Sequence, residues 1–159
     1  PKLLESPNDY DLQANFMWTA TLALNGLIGA GVPQDWATHM IGHEITALHG
    51  LDHAQTLAIL LPTVLQEQRE KKSAKLLQYA ERVWGLNEGT DDTKINMAIT
   101  KTRDFFERMG VKTHLSDYQI NADAIPVMIK QLAEHGLTQL GEHNDIDLKK
   151  SQQILQASL

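Results

Sequence analysis

The sequence predicts an all-α bundle of about seven helices. Apolar residues recur with a helical period, and no segment alternates convincingly with the period of two that a half-buried strand requires. Glycine and proline close the periodic runs at intervals and leave only short loops between them. The 159 residues are enough for one domain with its own core. With no internal repeat, low-complexity tract or visible boundary, residues 1–159 read as a single helical domain.

Ser6-Pro7-Asn8-Asp9 reads as a helix entry. Leu12, Phe16, Trp18, Thr19, Leu22, Leu24 and Leu27 then follow, too apolar on every side for a surface helix, so this helix is expected to be central. Gly31-Val32-Pro33 stops it, and Asp35 is placed to cap or charge the start of the next helix, which carries His39 and His43 and runs to about Leu48. His49-Gly50-Leu51-Asp52 reads as a turn with Gly50 as terminator. A third helix begins near Asp52 or His53 and is expected to kink or restart at Pro62. Four more follow: about Lys75–Trp84 closed by Gly85, about Asp92–Met109 closed by Gly110, about Asp123–His135 closed by Gly136, and about Asp147–Ala157.

The formal net charge is -6 with both signs interspersed, so no basic face points to nucleic acid or an anionic membrane. No apolar run reaches the roughly 18–20 residues needed to cross a bilayer; the longest, Ala20 to Val32, is broken by Asn25 and three glycines. No signal peptide is visible, and the lack of cysteine is compatible with a reducing cytoplasm. The first residue is Pro1 rather than Met, and an upstream region is therefore expected.

Four of the seven histidines fall between His39 and His53. Imidazole is the commonest protein metal ligand and the usual acid–base group near neutral pH. Without cysteine, a metal here is held by nitrogen and oxygen, which suits zinc or ferrous iron. Two familiar helical metal motifs fail. His43-Glu44 lacks the second histidine four residues on, where Ala47 stands, and no glutamate has a histidine three residues later as di-iron bundles require. Asn25 to Gly31 has the spacing G-x-x-G-x-G after a helical segment, so it reads as close helix packing and a helix end rather than a nucleotide loop.

His39 and His43 lie at i and i+4 on one helix face. On a continuous helix His53 would stand about 21 Å from His39, so the turn at Gly50 must bring it back. On spacing alone two readings stand, a metal or catalytic site and a set of surface and capping histidines. His114, His135 and His143 are scattered and read as solvated or capping.

The spacing of His39, His43 and His53 resembles the metal-binding signature of the iron-containing alcohol dehydrogenases. The flanking words Leu24 to His39, His49 to Ala58, Lys75 to Trp84 and Thr113 to Tyr118 resemble its NADPH-dependent aldehyde reductase and butanol dehydrogenase branch. The resemblance covers essentially the whole chain. It implies most of the C-terminal helical metal-binding domain of a dehydroquinate synthase-like two-domain enzyme, whose N-terminal α/β domain binds NAD(P)H. It assigns His39 and His53 as metal ligands and His43 as the histidine facing nicotinamide and substrate, while His49 receives no role. The family's other ligands, an aspartate and a histidine four positions later, would precede Pro1, as would its glycine-rich nucleotide loop.

The implied activity is hydride transfer between NADP(H) and a primary alcohol or aldehyde such as butanol or butyraldehyde, by a cytoplasmic and homodimeric full-length protein. The isolated chain is expected to be inactive. The alternatives are a stand-alone helical metal-binding module and an interaction domain with incidental histidines.

Overall fold

The computed structural model describes residues 1–159 and comprises eight α-helices, three short 3-10 turns and one two-stranded hairpin. No helix is long and apolar enough to cross a membrane. The chain divides into two compact units, Pro1–Gln34 and Asp35–Leu159.

The first unit holds α1 (Lys2–Glu5), α2 (Tyr10–Leu24) and a 3-10 turn at Leu27–Gly29. Asp9 caps α2, its Oδ1 accepting from the Leu12 amide at 3.0 Å. The expectation that this helix is central is not met within the chain, since none of its residues is buried and Phe16, Met17 and Trp18 stand open to solvent. Apolar character on every side records a demand for cover. The atoms present here do not supply that cover.

The second unit contains α3 (Ala37–His49), α4 (His53–Glu67), α5 (Ser73–Trp84), α6 (Asp91–Arg108), α7 (Ile125–Glu134) and α8 (Leu148–Ala157). Its main core joins Ile41 and Ile45 of α3, Ile59, Leu60 and Val64 of α4, Met128 and Leu132 of α7, and Ile154 and Leu155 of α8. A smaller cluster packs Leu76 of α5 against Ile95 and Ile99 of α6. Each set recurs at helical spacing, so one stripe per helix turns inward.

Of the two alternatives at Pro62 the restart does not occur: α4 runs through the proline, which is buried. Proline inside a helix costs about 3 kcal/mol, and the core contacts of Ile59, Leu60 and Val64 around it offset that cost. A hairpin also occurs where no strand was foreseen: β1 (Gln139–Leu140) pairs antiparallel with β2 (Ile146–Asp147), Leu140 opposite Ile146. Two-residue strands are too short to display alternation. The loop between them needs Gly141, whose φ is +87° and where a Cβ would meet Asp145 Oδ1 at 3.0 Å.

Candidate metal centre

Three features of sequence return His53 to the face of α3 that carries His39 and His43. Gly50 ends α3 in the left-handed conformation (φ 69°), its amide bonding the Thr46 carbonyl at 2.9 Å. Asp52 starts α4, with its amide donating to Gln55 Oε1 at 2.9 Å. Gly42 then lets α3 and α4 approach, because a Cβ there would meet Thr56 Oγ1 at 2.9 Å. Thr56 in turn donates to the His53 carbonyl at 2.9 Å.

The three imidazoles therefore converge. Ring centroids lie 5.1 Å apart for His39 and His53, 5.7 Å for His43 and His53, and 6.5 Å for His39 and His43. With metal–nitrogen bonds of 2.0–2.1 Å, two imidazoles on one tetrahedral ion have centroids about 5.2 Å apart, and about 6.4 Å apart when opposite each other. The His39–His53 separation matches the tetrahedral value, His43–His53 lies within the range, and His39–His43 stands at its upper limit. Of the three pairs, His39 and His53 fit one ion best, with His43 beside them. No group of three or more His, Asp or Glu side chains converges tightly enough to hold an ion by itself.

His39 is half-buried, with the Trp36 ring edge-on at 4.9 Å, while His43 and His53 are exposed. Burial, and then the neighbouring charges of His53 and His43, push the His39 pKa below its ordinary value of 6.5. A neutral imidazole is the form that binds metal. His49 is also exposed and is the last residue of α3, inside the helix rather than in the turn expected for it.

A cavity of about 540 Å³ lies beside α3, lined by Leu61, Val64, Leu76 and Tyr79 with Asp35 and Lys72 at its edge, and none of the three histidines borders it. Asp35 meets its expected role, its Oδ1 accepting from the Ala37 amide at 2.7 Å. Of the other histidines His143 is exposed, and His114 and His135 are surface groups with partners. His114 precedes the 3-10 turn Leu115–Tyr118, its amide donating to Asp117 Oδ2 and its ring 3.2 Å from the Arg103 guanidinium. His135 pairs through Nδ1 with Glu44 Oε1 at 2.7 Å. The Glu44 pairing escaped sequence reading. Its only signal is a carboxylate among the core positions Ile41 and Ile45, where a buried charge demands a partner.

The profile of the Fe-containing alcohol dehydrogenase family, C-terminal part, matches residues 1–159. NADPH-dependent aldehyde reductase YqhD of Escherichia coli K12 is 63% identical over 158 residues, covering 99% of this chain and 41% of that protein. A crystal structure of E. coli K-12 YqhD superposes with a TM-score of 0.99 at 63% identity, over 100% of this chain and 41% of that one. The NADH-dependent butanol dehydrogenase A of Thermotoga maritima superposes with a TM-score of 0.90 at 27% identity, over 99% of this chain and 41% of its own. The chain therefore spans about two fifths of the length of these relatives. From Pro1 to Leu159 it belongs to the iron-containing alcohol dehydrogenase family, as the helical C-terminal part of that fold.

Proposed function

We propose that this chain is the helical half of a metal-dependent, NADP(H)-linked aldehyde reductase or alcohol dehydrogenase acting on short primary aldehydes and alcohols such as butyraldehyde and butanol. The observation that carries the reading is the 5.1 Å approach of His39 and His53 with His43 beside them. Relatives named for aldehyde reduction and butanol dehydrogenation agree with it. Nine of the thirteen exposed large hydrophobic side chains lie in residues 1–34, and exposed apolar surface on that scale suits an adjoining nucleotide-binding domain of the same polypeptide.

In this reading His39 and His53 are ligands of a divalent zinc or ferrous ion, whose other ligands lie outside the chain. When bound, the ion supplies Lewis acidity toward the carbonyl or hydroxyl oxygen, and the nicotinamide gives or takes the hydride. His39 and His53, fixed on two helices that meet at Gly42, would hold that ion in place. His43, exposed and one turn along from His39, moves the proton that converts the alkoxide to the alcohol and takes it back in the reverse direction. The same reading carries a cytoplasmic location, with which the absence of cysteine agrees, and a homodimer of the full-length protein.

The test is the full-length protein assayed with butyraldehyde and NADPH before and after chelation, beside its His39→Ala variant. Metal-dependent turnover lost in the variant is the expected result. Turnover indifferent to chelator and to His39 would refute the reading, and a full-length protein without turnover or bound metal would favour a stand-alone helical module.

A further inference from the structure

An ion cluster meets at the start of α3, one helical turn before His39. Both Asp35 carboxylate oxygens are in use: Oδ1 accepts from the Ala37 amide at 2.7 Å, and Oδ2 pairs with Lys72 Nζ at 2.9 Å. Lys72 also pairs with Glu142, in the loop of the β1–β2 hairpin. The side chains of Lys72, Asp35 and Glu142 are 16%, 19% and 23% exposed, so this is not one of the solvated surface pairs that contribute little. Burial opposes the Lys72 charge, but hydrogen bonds to Glu142 and Asp35 outweigh it and hold the pKa above its ordinary value of 10.5. The ammonium group stays charged throughout the neutral range.

We infer that Lys72 is a positioning residue for the metal ligand His39, acting through Asp35 on the first turn of α3; the inference rests on the functional reading above. The first turn of a helix has amides without internal partners and frays unless capped. Trp36 at the cap position offers no side-chain acceptor, so Asp35 supplies one from the preceding residue. Lys72 fixes that carboxylate from a separate segment, the turn before α5, where its own amide bonds the Gln68 carbonyl at 2.9 Å. Glu142 braces Lys72 from a third segment. His39, the third residue of α3, thereby keeps its ring 5.1 Å from His53 on another helix. Groups that orient a ligand from one shell out typically govern metal affinity by about 10–100-fold.

The neighbouring Lys71 provides an internal control. It pairs with Asp145 in the same hairpin at 2.8 Å but makes no contact with Asp35. In the full-length protein titrated with Co(II), Lys72→Met should raise the dissociation constant by about 10–100-fold and alter the visible Co(II) spectrum. Lys72→Arg should restore most of the affinity, and Lys71→Met should bind Co(II) like the parent while melting at a lower temperature. Unchanged Co(II) affinity in Lys72→Met overturns the inference, as does an equal loss in Lys71→Met, which would make the hairpin tether merely structural. If Lys72→Met does not fold, Asp35→Asn carries the test, because it keeps the shape and the cap acceptor while removing the charge that Lys72 holds. Weakened Co(II) binding there supports the inference and parental binding overturns it. A parent protein that binds no Co(II) overturns the functional reading itself, an outcome distinct from these.

Discussion

His39 and His43 share a helix face but not an environment, and in the proposed reading that difference separates ligand from proton carrier. His39 is half-buried and lies at a two-ligand distance from His53, while His43 is exposed and stands further from both rings. In the full-length protein His43→Ala should keep its metal and lose turnover by about 10²–10⁴-fold, whereas His39→Ala should lose the metal. Elemental analysis beside steady-state kinetics checks this, and equal metal loss in both variants would make His43 a ligand. The pH dependence of the apo chain follows from the lowered His39 pKa. Above 6.5 the imidazole is neutral in both folded and unfolded states and contributes no pH dependence. As pH falls below that value the unfolded state takes up the proton first, so stability declines until the folded-state pKa is passed. Melting temperatures compared between pH 7.5 and 5.5 should fall less in His39→Ala than in the parent chain; an identical fall would refute the assignment. The sequence showed the i, i+4 pair and the turn that returns His53. It could not show which pair of rings stands closest, because that depends on how closely two helices approach.

Gly42 sets that approach at the scale of the element, and its importance was not legible. As one glycine within an apolar run, it became meaningful only when Thr56 was found opposite, with Oγ1 at 2.9 Å from a Cβ placed on the glycine. Gly42→Val should destabilise the chain by about 1–3 kcal/mol through overpacking. In a Thr56→Ala background Gly42→Ala should instead approach the gain of about 1 kcal/mol expected from replacing glycine inside a helix. Denaturant unfolding of the double-mutant cycle measures the coupling, and simple additivity would show that Thr56 does not set the helix separation. Helix ends were more readable than helix faces. Gly50 and Gly85 both terminate helices in the left-handed conformation, as their positions after periodic runs foretold. At Pro62 the local penalty is visible in sequence, while the long-range core that lets the helix continue is not. The links of Lys71 and Lys72 to the hairpin at 139–147 join residues about seventy positions apart, and no local period reports such contacts.

On the scale of the whole molecule the two units differ in what they bury. Asp35–Leu159 encloses a core of isoleucine, leucine and methionine side chains from four helices, whereas α2 buries nothing and presents Phe16, Met17 and Trp18 at more than 60% exposure. The sequence reported the apolar character of α2 correctly, but hydrophobicity says only that a surface seeks cover. The chain taken alone should therefore fold, because the second unit has a closed core of its own. It should also bind a hydrophobic dye strongly and self-associate through the uncovered helix, since an apolar patch of that kind drives association. Metal binding should be weak, because two imidazoles fall short of the three or four protein ligands of a zinc site. It should not turn over butyraldehyde with NADPH, because its glycine-rich stretch, Gly26 to Gly31, follows a helix rather than the strand a nucleotide loop requires. Circular dichroism, dye fluorescence, Co(II) titration and an aldehyde assay on purified residues 1–159, run beside the full-length protein, check the four parts together. Turnover by the purified chain would place the cofactor site within these helices and would overturn the division between halves on which the proposed function rests.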